Sequence, residues 1–201
     1  MNKQSLMILN CVKEVDTGSV KTALMKVLSY IAMNLKISGV CTETMTLENL
    51  KYLEEHCDYN MLKETPFDYF TPVLERLQLI PKSPSGTKVN IQKELALHKE
   101  EVAHLSKPVL QLILPKYTNQ LLVASFLEYN DSAIYAVVEP NIILYRTLLI
   151  TGTLYSIPAM VLNADPLIHT INMESPNWSF VNKWEGTSGI KLEVLSSDRN
   201  L

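Results

Sequence analysis

Histidine and cysteine are the side chains best suited to act as bases, nucleophiles or metal ligands near neutral pH, and the chain holds four of one and three of the other. His56, Cys57 and Asp58 are consecutive, with Cys41 upstream, which raises the question of a zinc centre. A closed zinc site needs about four ligands, and adjacent residues of a helix point to different sides. A surface histidine beside a buried cysteine is therefore the expectation. His98 and His104, six residues apart, also fall on different sides of a helix, and no cysteine joins them. His169 lies in a proline-punctuated stretch with Asp165 and Glu174 nearby, so it is the candidate general base of an alternative reading, a hydrolase or transferase of undetermined substrate.

Reaction motifs that depend on spacing are missing. Ser85-Gly86 and Ser188-Gly189 are turn pairs without the Gly-x-Ser-x-Gly frame of a nucleophile elbow. Gly152, Gly186 and Gly189 do not make a phosphate-cradling loop. No catalytic, metal or cofactor-binding residue is assigned on these grounds, and no cofactor is expected.

Composition narrows the classes further. Acidic residues number 21 against 18 Lys plus Arg, a formal charge of -3 with no basic stripe, which disfavours a nucleic-acid partner. Charged residues are 19% and apolar ones 47%, a balance that suits a large core, a protein interface or contact with a membrane. Cys11, Cys41 and Cys57 lack a repeating spacing, so reduced and mostly buried thiols are expected, as in a cytoplasmic or other intracellular compartment. The amino-terminal LMIL is shorter than the apolar part of a signal peptide, and secretion is not expected.

Stepping outward from single residues, KPVLQLILPKYTNQLLVASFLEY, residues 107 to 129, is the most apolar stretch with a break in it. A spanning helix needs roughly 20 apolar residues. Here Pro115, Lys116 and four hydrogen-bonding residues interrupt two shorter runs, so a helix ending near Leu114 and another starting near Tyr117 are expected, both in a core. Tyr117, Phe126 and Tyr129 are the candidate anchors of a protein interface, with Asn119 and Gln120 as directional hydrogen-bonding groups. Peripheral contact with a bilayer surface is the competing reading of the same stretch.

Three amphipathic helices are predicted before it. The first covers 19 to 39, with Ser19 as N-cap and Gly39 as stop; the second covers 46 to 57; the third runs from about Pro66 to Leu79. Pro81, Pro84, Ser85 and Gly86 mark a turn, with a possible hairpin through Ile91, and residues 92 to 106 regain helical periodicity. That order is similar to a winged-helix module, but the third helix offers Asp68, Glu75 and only Arg76 where a recognition helix needs basic or amide side chains. Residues 133 to 139 suit a strand, residues 142 to 157 suit either a strand or a buried helix, and a terminal hairpin is predicted through WSFVNKW and GIKLEVL. Trp178 and Trp184 read as packing residues.

The fold expectation is mainly α or α+β: an amino-terminal helical bundle, possible small hairpins and a carboxy-terminal β-containing region. One domain over 1–201 is the simplest division, with lobes 1–106 and 107–201 as the alternative. In their order, the helices, the VLERLQLI segment, LPKYTNQLLVASFLEY and IILYRTLLI resemble the carboxy-terminal helical region of glycerol-3-phosphate acyltransferases, over about Val20 to Ile150. That resemblance implies a membrane-associated accessory region of a lipid enzyme. Members of that family use a histidine followed, after four intervening residues, by an aspartate; here His169 is followed at that distance by Glu174, and the family's glycine-rich and arginine-bearing blocks are missing. The leading expectation is a non-catalytic interaction or structural subunit, with a protein partner or a second copy of the chain.

Overall fold

Residues 1–15, 18–37, 43–81, 109–113, 118–129, 133–157, 159–163 and 179–180 are described by a computed structural model of the chain. Its first helix, α1 (Lys3–Val15), begins where Asn2 Oδ1 accepts the Ser5 N–H at 2.8 Å. Ile8, Leu9, Val12 and Val15 recur at helical spacing and are buried, so LMIL belongs to an amphipathic helix. Helix α2 (Val20–Asn34) starts at the predicted Ser19, whose hydroxyl accepts the Thr22 N–H at 3.5 Å. Helix α3 (Leu47–His56) is capped by Thr46 on the Asn49 N–H at 3.2 Å. A 3₁₀ turn over Tyr59–Lys63 leads to the short α4 (Thr71–Arg76).

Two predicted boundaries are corrected here. The third helix does not begin at Pro66, because Asp68 Oδ1 accepts the N–H groups of Phe70 and Thr71, at 3.1 and 3.0 Å, and fixes the start at Thr71. Nor does the first predicted helix run to Gly39. It ends at Asn34, where Lys36 turns left-handed with φ 58° and the N–H groups of Ile37 and Lys36 bond to the Ala32 and Met33 carbonyls. This is a Schellman ending with lysine where glycine is usual. Gln78 after α4 and Ser156 after the last helix repeat it, each at positive φ and each followed by an apolar residue, Leu79 or Ile157, whose N–H reaches back to Leu74 or Gly152.

The second half alternates strand and helix: β1 (Val109–Ile113), α5 (Thr118–Tyr129), β2 (Ala133–Val138), α6 (Ile142–Leu154), β3 (Ala159–Leu162) and β4 (Ser179–Phe180). Residues 109–113 thus form a strand in place of the expected helix. A short apolar run fits either element, and here it pairs in parallel with β2, Val109 opposite Ala133 through Ile113 opposite Val137. Residues 142–154 settle as a helix, capped by Asn141 Oδ1 on the Ile143 N–H at 2.9 Å. The sheet order is β1-β2-β3-β4, parallel except for β4, which runs antiparallel to β3. The chain is mostly helical among the described residues. The hairpin expected after Leu79, the helix expected over 92–106 and, apart from Ser179–Phe180, the terminal hairpin lie outside them.

A continuous cluster of buried apolar side chains runs from Ile8 of α1 through Leu24, Leu28 and Ile31 of α2 to Leu148 of α6 and Val161 of β3. Helix α6 is the joint. It packs on α5, on α2 and on β3, which explains why its sequence is apolar almost all round and shows no helical stripe.

Candidate functional site

Of the residues singled out for an interface, Asn119 is the one whose side-chain bonding is described. It is buried at the start of α5, and its Nδ2 donates to Thr147 Oγ1 of α6 at 2.6 Å. Thr147 spends its own proton on the Leu144 carbonyl at 2.8 Å, so its oxygen must accept, which fixes the orientation of the Asn119 amide. Asn119 Oδ1 and Thr151 Oγ1, both buried, make no hydrogen bond within the described structure. Asn119 therefore ties two helices together. Phe126 is half-buried and packed against the core. Gln120 and Tyr129 lie in α5, while Tyr117 and His169 are outside the described residues.

The other titratable clusters are structural in form. His56 is exposed, stacked on Tyr52 with ring centroids 4.2 Å apart, its Nδ1 2.9 Å from the Tyr52 carbonyl oxygen. Cys11 and Cys57 are buried free thiols that hydrogen-bond to one another between α1 and the end of α3. That bond, with burial, pushes the Cys57 thiol up, while the same contact holds Cys11 down. Arg146 of α6 is buried with Nη1 3.6 Å from Met25 Sδ of α2 and 3.9 Å from Glu43 Oε1. Among the described residues no three His, Cys, Asp or Glu side chains gather into a metal-binding group.

Glu139, Asn141 and Asn163 meet where the parallel strands end. Glu139 Oε1 accepts the Asn141 N–H at 2.9 Å, and Asn163 Nδ2 donates to the Glu139 and Pro140 carbonyls at 2.7 and 3.2 Å. Ligands of open α/β sheets favour that end. These side chains, however, are committed to capping α6 and fastening the loop after β3.

The sheet itself holds the feature that inspection of single residues passes over. Tyr135, Val137, Ala159 and Val161 are buried in the core on the face that carries α5 and α6. Alternation along a strand assigns the intervening positions to the other face. By register those positions are Leu110 and Leu112 in β1, Ile134, Ala136 and Val138 in β2, Met160 and Leu162 in β3, and Phe180 in β4. Every one is apolar. Parallel strands read this way because such sheets are covered on both faces, and α5 and α6, the described helices against the strands, touch each other and so share a face. The sequence signal was available in the unbroken apolar run AIYAVV, which supplies both faces of β2.

No described helix is long and apolar enough to cross a membrane. No family model matches the chain, and neither a curated protein nor a solved structure matches it.

Proposed function

We propose that the chain is a non-catalytic interaction module whose docking surface is the second face of the sheet. The observation that carries this reading is the apolar character of every register position on that face, opposite the one covered by α5 and α6. The partner is helical, with an aliphatic stripe. Strands of five, six, four and two residues, at about 3.3 Å per residue and about 4.8 Å apart, offer on the order of 270 Å². That suits one or two helices about 10 Å wide, the cover that α5 and α6 give the first face. It falls well short of the roughly 800 Å² per partner of a standard interface, so a helical partner must draw further contacts from beyond this face.

Ile134→Lys tests the reading. The expected result is a folded variant, its thermal midpoint close to wild type, that no longer binds the apolar dye ANS as the parent does. If the substitution unfolds the protein, the face belongs to the chain's own interior and the proposal fails. Absence of ANS binding by the native parent fails it equally. Flotation of the parent with neutral or anionic vesicles, abolished by Ile134→Lys, would replace the protein partner by a bilayer.

A further inference from the structure

Asp68 lies where α1, the segment leading into α4 and the end of α6 meet. From α1, Ser5 Oγ donates to the Tyr69 carbonyl at 2.8 Å. From just past α6, the Tyr155 hydroxyl lies 2.9 Å from the Leu62 carbonyl oxygen and 3.1 Å from that of Phe67. The Asp68 side chain is enclosed between these contacts, only 5% of the residue remaining exposed. Its two oxygens are unequally served: Oδ1 accepts from Phe70 and Thr71, whereas Oδ2 is buried and has no hydrogen-bond partner. A carboxylate with a bare, dry oxygen is costly, and a proton on Oδ2 removes the charge.

We propose that Asp68 is a proton-operated latch: protonated, it holds residues 66–76 against α1 and the end of α6, and when ionised it favours release of that segment. The groups around it agree. Glu75 of α4 repels the charged form. The phenols of Tyr69, in the same segment, and Tyr155, beyond α6, are both pushed up by burial and stay neutral through this range; Glu64 acts on Tyr69 in the same direction. Burial is the largest influence on Asp68, opposed by its bonds to Thr71 and Phe70, and it raises the carboxyl from 3.8 to about 6. A folded-state value above the unfolded one means stability that is complete below the unfolded pKa and is lost as pH rises through the folded one. This one group lowers the folding constant about tenfold between about pH 5 and about pH 7.5.

Urea unfolding of the full chain at both pH values, for the parent and for Asp68→Asn, measures this. The amide keeps the Oδ1 acceptor and cannot ionise. The expected result is that the parent loses about tenfold more of its folding constant across the interval than the variant does. Carboxyl ¹³C NMR of labelled aspartate should show the Asp68 resonance titrating near the raised value. Equal pH slopes in parent and variant, or an Asp68 carboxyl titrating near 4 like a solvated one, would overturn the latch; should Asp68→Asn fail to fold, the carboxyl titration decides alone.

Discussion

The two halves of the molecule use apolar residues in opposite ways. In the amino-terminal half, α2 is enclosed by its neighbours, with Ala23 to Ala32 buried apart from Lys26, and each helix start is closed by a side-chain or backbone cap. In the sheet half, Tyr135, Val137, Ala159 and Val161 are buried on one face, while the other face has apolar positions without a described helix over them. The first pattern satisfies the chain internally. The second, on the reading proposed above, leaves a surface that hydrophobic burial would complete, and burial of that kind is the main favourable term in protein association. The contrast teaches that apolar content alone does not measure core size: on the proposed reading, part of it belongs to a docking surface.

Truncation experiments should make the contrast quantitative. Leu28→Ala and Leu148→Ala, at fully buried positions, are each expected to cost about 3 kcal/mol in chemical unfolding. On the second face Leu162→Ala should cost under about 1 kcal/mol in the isolated chain. Equal losses at the two sites would erase the distinction. Thr147→Val comes next, because it leaves the buried Asn119 amide without its acceptor; a loss of about 2 kcal/mol is expected, largely recovered in a double variant with Asn119→Leu. Tyr155→Phe, which removes the hydroxyl anchored at the Leu62 and Phe67 carbonyls, should cost about 1 kcal/mol and loosen amide exchange around residues 62–70. The smallest effect has the opposite sign. Lys36→Gly, Gln78→Gly and Ser156→Gly place glycine at positive φ and should each raise the unfolding midpoint, by up to about 1 kcal/mol of stability.

Those three helix ends also show why the sequence was legible in some places and opaque in others. Starts were readable where the cap is chemically marked: Ser19 is used as expected, whereas Pro66 drew the third start too early. Ends were not, because lysine, glutamine and serine carry no mark of a left-handed backbone, and the nearest glycine, Gly39, drew the boundary too far. Val109–Ile113 misled for a different reason. Four apolar residues around Gln111 fit a helix or a strand equally, and the pairing with β2 that decides between them comes from residues 133–137. The same long-range dependence hid the second face, since only register shows which apolar residues share a side. Asn119 stands out in the sequence for its hydrogen-bonding capacity, but the partner that turns it inward, Thr147, is 28 residues away.

Three methionines, two in α2 and one in β3, test the central claim directly. Met25 is buried in α2 against α6, Met33 is 46% exposed at the end of α2, and Met160 occupies a second-face position in β3. Dilute hydrogen peroxide converts accessible methionine to the sulfoxide, and peptide mass spectrometry follows each site in the native chain. The account predicts that Met160 oxidises at a rate close to that of Met33 while Met25 lags far behind; a Met160 as slow as Met25 would show the second face already covered and would contradict it.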